Sequence, residues 1–307
     1  MDLETGPDDS AHRVGFIAVV GRPNVGKSTL FNAMLGVKVA IVSPRPETTR
    51  NRILGVRTEA DAQYVFLDTP GLHDPKGPLS RRLVQTARTA LSEASVALLV
   101  VDCRAGVGEP ERDVAAAVRR TGMPTVVALN KMDLVPRSQL LPLMETFATL
   151  LPESEIVPVC ARDGENVATV LGALRKLLPA GPRLYPEDAL TDQTERFIAQ
   201  EMIRERVFEL THAEIPYASA VITEEFRERE PRAGAAPLLY IHATIIVARP
   251  SHKPIIIGKG GQRLKEIGRQ ARAELEQFFG RRVFLQLYVK VEKAWDANPA
   301  MLRRVGL

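Results

Sequence analysis

The chain has 307 residues, 45% hydrophobic and 25% charged, with a net charge of only +4. Such values suit two folded domains of ordinary size and exclude a disordered or fibrous chain. The charge is uneven: residues 253–307 carry 12 Lys/Arg against 5 Asp/Glu, a local +7 that leaves −3 for the rest. Charge collected in one region suggests a polyanion partner there, with plain solubility as the alternative.

In chain order, residues 1–13 are polar and acidic and read as a disordered head; they lack the basic start and apolar stretch of a secretory signal. A short buried strand at 16–20 leads into a Gly-rich turn and a helix that begins near Lys27. Apolar strands follow at 53–58, 64–67, 96–101, 125–129 and 156–159, and amphipathic helices at 79–92, 109–121, 138–150 and 166–178. Alternation of this kind predicts an α/β domain over 14–178, with a mostly parallel sheet covered on both faces. The short link between 53–58 and 64–67 predicts one antiparallel edge. Cys103 and Cys160 follow apolar runs, which predicts buried strand ends and neither a disulfide framework nor a zinc cluster. No apolar run approaches the ~20 residues of a membrane-spanning helix, so a cytoplasmic chain is expected.

Residues 179–190 are rich in proline and read as a semi-rigid linker. A second, smaller α+β domain is predicted over 191–307. It starts with a helix capped by Thr191, with Glu195, Glu201 and Arg204 on its polar side. Strands at 218–226 and 239–248 follow, then an apolar stretch at 255–257, the turn 258–261, a helix to Phe279 and a strand at 283–291.

Gly21-Arg22-Pro23-Asn24-Val25-Gly26-Lys27-Ser28 matches the phosphate-cradling pattern G-x-x-x-x-G-K-[ST], and Thr29 continues it into the helix. Glycines let backbone N–H groups curl around phosphate oxygens, and the helix N-terminus adds positive charge. Lys27 can reach the β- and γ-phosphates, and the Ser28 hydroxyl can ligate Mg²⁺. Asn130-Lys131-Met132-Asp133 selects the base. A carboxylate at Asp133 can accept from guanine N1–H and the exocyclic amine, whereas adenine would leave it unpaired. Asn130 would hold the loop, and the Lys131 stem would stack on the purine. Asp68-Thr69-Pro70-Gly71 ends a strand, with Asp68 as the Mg²⁺-associated acid and the Gly71 N–H facing the γ-phosphate. Of Thr48 and Thr49, one should close over Mg²⁺; Thr49 is preferred and joins Lys27 and Gly71 as the groups assigned to catalysis. Leu72 stands where a glutamine would orient the attacking water, which predicts slow intrinsic hydrolysis. His73 is expected as an exposed loop residue.

Ile257, Gly258-Lys259-Gly260-Gly261, Arg263 and Lys265 form a second signal. A G-x-x-G turn between two helices lets a nucleic-acid backbone come close, with Lys259 and a helix N-terminus meeting phosphate. Ile255–257 and Ile267 are expected to floor the groove. Lys253 and Arg269 are further candidates, with a merely solvated face as the alternative for all the cations. Trp295 reads as a tail anchor.

The four nucleotide motifs in this order resemble the translation-factor-related GTPases. Asn24, Thr48-Thr49-Arg50, Asp68-Thr-Pro-Gly-Leu72 and Gly258-Lys-Gly-Gly261 narrow the resemblance to the Era family, over residues 14–307. That resemblance implies a GTPase domain followed by a type II KH domain. It implies GTP and GDP as ligands, Mg²⁺ as cofactor, and K⁺ held by Asn24, with a plain turn residue after Pro23 as the alternative for Asn24. It implies binding near the 3′ end of small-subunit (16S) ribosomal RNA during 30S assembly, and peripheral association with the inner membrane. A monomer is expected, and no DNA partner. The family's guanine-contacting Ser-Ala pair is here Cys160-Ala161, where a backbone N–H makes the contact. Pro44-Arg-Pro-Glu47 departs from the family's Gln-bearing stretch, which leaves the resting position of that loop open. Two other readings stand beside an RNA-directed GTPase: an RNA-binding module with residual hydrolysis, and a P-loop ATPase or kinase that binds nucleic acid.

Overall fold

The computed structural model describes residues 12–43, 45, 48–72, 78–229 and 237–306. His73, Pro44, Glu47 and nearly all of the head lie outside the described residues. The chain divides into two units, Met1–Asp192 and Gln193–Leu307.

The first unit is a six-stranded sheet in the order β2-β3-β1-β4-β5-β6. Its strands are β1 (Arg13–Val20), β2 (Ile53–Thr58), β3 (Ala62–Asp68), β4 (Val96–Asp102), β5 (Thr125–Asn130) and β6 (Glu155–Val159). All pair in parallel except β2, which runs antiparallel to β3 at the edge, as the short link requires. Its helices are α1 (Lys27–Leu35), α2 (Pro78–Glu93), α3 (Glu109–Arg119), α4 (Arg137–Leu150) and α5 (Val167–Leu177). Side chains from α2, α3 and α4, among them Leu91, Val118 and Phe147, pack with Val20, Leu99 and Leu129 of the sheet. The alternate strand residues Ile17, Val19, Leu98 and Val126 are equally buried, so both faces are covered. Loops leaving the carboxyl ends of β1, β3, β4, β5 and β6 therefore converge at one edge, where open α/β sheets bind ligands.

The proline-rich segment after α5, expected as a semi-rigid linker, is fastened to the first unit. Gln63 of β3 is fully buried. Its side-chain oxygen accepts from the Leu184 and Tyr185 backbone N–H groups at 2.8 and 2.9 Å, and its amide donates to the Tyr185 carbonyl at 2.8 Å. Val56 donates to the Leu190 carbonyl at 2.8 Å. Three bonds from one buried amide hold the segment against the β2–β3 edge.

The second unit has a three-stranded sheet, β7 (Ser219–Arg229), β8 (Leu238–Val247) and β9 (Arg282–Val291). β7 is antiparallel to β8, with a bulge between Thr223 and Glu225, and β8 is parallel to β9. One face packs on α6 (Glu195–Leu210) and on α8 (Gln262–Phe279). Its core includes Ile203, Ile241, Ile245, Ala271 and Leu275. α7 (His252–Ile257) precedes α8, and α9 (Pro299–Arg304) follows β9. Trp295 is completely buried, with its indole N–H donating to the Ala218 carbonyl at 3.1 Å. Among the described residues, no helix is long and apolar enough to cross a membrane.

Three local expectations need correction. Thr194, not Thr191, caps α6, its hydroxyl accepting from Phe197 N–H at 3.2 Å. Thr191 instead donates to the Leu54 carbonyl. Glu201 and Arg204 are buried on α6 and pair with each other at 2.6 Å, so they are not on a polar face. Their mutual charge explains how two ionisable groups can sit inside. Finally, Ile256 and Ile267 belong to the core; only Ile255 and Ile257 are accessible near the turn.

Candidate nucleotide site and nucleic-acid turn

The turn after β1 closes around glycines whose space is already taken. Gly21 has φ +150°, and a Cβ there would lie 2.3 Å from the Val100 carbonyl oxygen. Gly26 has φ +96°, and a Cβ would lie 2.2 Å from the Asn130 side-chain amide. Asn24 also takes a left-handed backbone, φ 64°. Gly71 lies directly against Pro23, with 2.6 Å left for a Cβ. The Leu72 N–H donates to the Gly21 carbonyl at 3.0 Å and the Thr69 hydroxyl to the Val19 carbonyl at 2.9 Å. Thus the segment 68–72, with Pro70 inside it, is fastened beside the β1 turn.

Lys27 is buried and donates to the Arg22 carbonyl at 2.9 Å across the loop. Burial pulls its ammonium down to about 8, with Asp68 opposing the shift. The Arg22 guanidinium pairs with buried Glu111 of α3. The Ser28 hydroxyl lies 2.9 Å from the Thr49 hydroxyl and donates to Asp68 Oδ2 at 2.8 Å; Thr49 donates to the same oxygen at 3.4 Å. Thr48 turns away and donates to the Arg45 carbonyl at 2.8 Å. Asp68 is fully buried, and burial pushes its carboxyl up to about 6, while Lys27 and its hydrogen bonds partly restrain the shift. Its Oδ1 has no hydrogen-bond partner among the described residues. A buried carboxylate oxygen left without a donor, beside two hydroxyls, suits a small hard cation or its water. Thr29 lies in the first turn of α1 beside them, and with Asn24, Lys27, Ser28, Thr49 and Gly71 it lines the cleft over this cluster.

The base-reading loop is tied to the phosphate loop by long-range bonds. Asn130, buried at the end of β5, donates to the Val25 carbonyl at 2.9 Å and accepts from Ala161 N–H at 3.0 Å. Lys131, left-handed at φ 63°, donates to the Asn24 carbonyl at 2.6 Å and pairs with Asp102 at 2.7 Å. Asp102 was not expected as part of the site. It ends β4 in register with Asn130, a placement that the apolar run and its terminal acid carry in the sequence. Burial works against its charge, but bonds from Arg104 and Lys131 outweigh that and draw its carboxyl down to about 2. Asp133 lies in the short turn after Lys131, 3.3 Å from the Arg162 guanidinium; Met132 packs toward the α3–α4 core. Cys160 is buried, donates to Asp163 at 3.3 Å, and burial raises its thiol, so it is an inert neighbour of Ala161.

In the second unit, Gly258, Gly260 and Gly261 all have positive φ: 74°, 59° and 79°. Nothing lies within 4 Å of a Cβ at Gly260 or Gly261, so that turn is open. Lys259 and Lys265 are exposed. Arg263 instead donates to the Ile255 carbonyl at 2.5 Å and braces the turn, and Arg269 pairs with Glu266 at 2.6 Å.

Residues 16–131 match the family model described as 50S ribosome-binding GTPase, and residues 214–296 match the KH domain. GTPase Era of Syntrophus aciditrophicus is 47% identical over 292 residues, covering 95% of this chain and 94% of its own. GTPase Era of Geotalea daltonii is 43% identical over 95% of this chain and 97% of its own. A crystal structure of Aquifex aeolicus Era, a single-residue variant bound to GDP and aluminium fluoride, superposes with TM-score 0.91 at 42% identity. It covers 96% of this chain and 99% of its own. A crystal structure of Era with MgGDPNP and nucleotides 1506–1542 of 16S ribosomal RNA matches at the same TM-score, identity and coverage. With a glycine-tight phosphate loop, a guanine-type loop bonded to it, and a KH domain behind them, this chain belongs to the Era family of GTPases.

Proposed function

We propose that the chain is a slow, Mg²⁺-dependent GTPase that binds 16S ribosomal RNA near its 3′ end and acts in assembly of the 30S subunit. Residues 14–178 would carry the nucleotide and 191–307 the RNA. The observation that carries the nucleotide half is the convergence of Ser28, Thr49 and Asp68, whose Oδ1 has no hydrogen-bond partner among the described residues, on one point. The relative crystallised with MgGDPNP and the 16S fragment supports the metal and the RNA.

Ser28, Thr49 and Asp68 would hold Mg²⁺, which when bound neutralises phosphate charge. Lys27 would exchange its bond to the Arg22 carbonyl for phosphate oxygens. Asp133 would exchange Arg162 for the two guanine donors, and the Ala161 N–H would exchange Asn130 Oδ1 for the base carbonyl. Gly71 would sit at the γ-phosphate, and Leu72 cannot orient water. Asn24, exposed at the mouth of the cleft, is the proposed K⁺ ligand, in the role an arginine finger plays elsewhere. Equal hydrolysis in K⁺ and Na⁺ removes that assignment. The same reading makes the chain a cytoplasmic monomer with peripheral contact to the inner membrane, tested by fractionation and sedimentation.

Crosslinking in cells tests the whole reading. Wild type should crosslink to 16S RNA near its 3′ end, Gly260→Asp should lose the crosslink, and Lys27→Ala should lose its dependence on nucleotide. Leu72 favours a second reading, an RNA-binding module with residual hydrolysis. RNA affinity identical with GTP and GDP supports that one.

A further inference from the structure

The face of the three-stranded sheet turned away from α6 and α8 carries an ordered set of rings that the nucleotide and G-x-x-G assignments do not use. Strand alternation sends Leu239, Ile241 and Ala243 of β8 into the core and leaves Tyr240 and His242 on the outer face. On β9, Val283, Leu285 and Leu287 point inward, leaving Phe284, Gln286 and Tyr288 outside. Register then sets Tyr240 beside Phe284 and His242 beside Gln286.

The rings are held. Tyr240 and Phe284 stack with centroids 5.4 Å apart and planes 9° apart. Tyr288 meets His242 edge-on at 5.0 Å. The Tyr240 hydroxyl donates to Gln286 at 2.9 Å, and the Gln286 amide donates to the Tyr288 hydroxyl at 2.6 Å. The Arg229 guanidinium lies 4.1 Å over the Tyr240 ring. Tyr240 shows that a ring on this face can be covered, yet Phe284 is 49% and Tyr288 50% exposed. Four residues apart on a strand, the two are about 13 Å from one another, which leaves room for more than one base.

We propose that this outer face is a second docking surface for single-stranded RNA, with Phe284 and Tyr288 as stacking platforms separate from the Gly258–Gly261 turn. The idea rests on the RNA-binding reading above and extends it. Charge favours this occupant. Arg227, Arg229, Arg282 and Lys290 stand on the face, against Glu225, which pairs with Arg227 at 3.0 Å, and Glu292, which pairs with Lys290 at 2.6 Å. The large apolar side chains exposed there are both aromatic. Bases stack on such rings and on guanidinium planes whatever their sequence, while nearby cations follow the backbone.

The test uses the full chain and fluorescence anisotropy with unstructured RNA of 4 and 12 nucleotides, and with the 1506–1542 fragment of 16S RNA. Phe284→Ala and Tyr288→Ala should each weaken 12-mer binding about tenfold. They should leave 4-mer affinity and GTP hydrolysis unchanged. Tyr288→Phe, which keeps the ring, should retain affinity. Ultraviolet crosslinks from the 12-mer should map to Tyr288. Affinities within twofold of wild type overturn the proposal, as does a change in self-association in place of RNA binding. Failure of wild type to bind any of the three RNAs would instead overturn the RNA-binding reading, and loss of all three on Gly260→Asp alone would place all contact at the turn.

Discussion

The phosphate loop and the G-x-x-G turn are both glycine-bearing turns that open a helix, but they are secured in different ways. The phosphate loop is locked from outside: Asn130 and Lys131, more than 100 residues downstream, bond its carbonyls. A methyl group at Gly26 would strike the Asn130 amide. The second turn is secured within one helix–turn–helix, by Arg263 on Ile255, and its central glycines face open space. Damage to the first should therefore spread across several loops. Damage to the second should stay local and be read out only by a ligand.

The sharpest way to break this comparison is Gly26→Ala. With φ +96° and a contact of 2.2 Å, it should lower GTP affinity on the order of a thousandfold. A titration calorimeter showing near-normal binding would mean that the lock is soft. Asp133→Asn comes next. GTP affinity should fall about a hundredfold while xanthosine triphosphate gains, because the new amide donates where the carboxylate accepted. An Asp133→Asn chain that still prefers GTP to xanthosine triphosphate would remove the guanine assignment.

Proton linkage at Asp68 has a definite sign. The folded carboxyl is raised to about 6, so its protonated form favours the nucleotide-free fold. That contribution is complete below the ordinary 3.8 and is lost as pH rises through 6. Metal needs the ionised form, so Mg²⁺-dependent GTP affinity should drop about tenfold per pH unit below about 6 and be flat from there to about 8, where Lys27 gives up its proton. A profile flat down to about pH 5 contradicts the placement. Gly260→Asp should weaken RNA binding about tenfold and leave GTP affinity nearly unchanged; the turn is open, but its φ of +59° strains any side chain, so the melting temperature should fall slightly. The smallest effect expected is Asp102→Asn, a few-fold loss of GTP affinity through a slackened Lys131. Asp102 is held at about 2, so its contribution is present above 3.8 and fades only as pH falls toward 2.

The two regions also differ in how much of them the sequence discloses. Phosphate-loop glycines, Lys27, Asn130 and Asp133 are legible because their chemistry admits few other residue types at those spacings. The Thr49 hydroxyl bonds Asp68 while the Thr48 hydroxyl bonds the Arg45 carbonyl, a difference hidden in the sequence, where two adjacent threonines look alike. Partners that meet only through folding are not legible. Gln63 looks like a polar strand residue, yet it fastens a segment more than 120 residues away. Glu201 and Arg204 look like a solvated helix face because their compensation, each for the other, is invisible to a polarity pattern. Ile256 adjoins accessible Ile255 and Ile257 and only the helix phase sends it to the core, where Ile267 of the next helix also lies.

Trp295 is the sole tryptophan of the chain, and it sits wholly inside the second unit. Its emission should thus be blue in the native state and shift red only when that unit melts. One fluorophore then reports on the second unit alone, while circular dichroism sums both units, and any gap between the two denaturation curves measures how independently the units come apart.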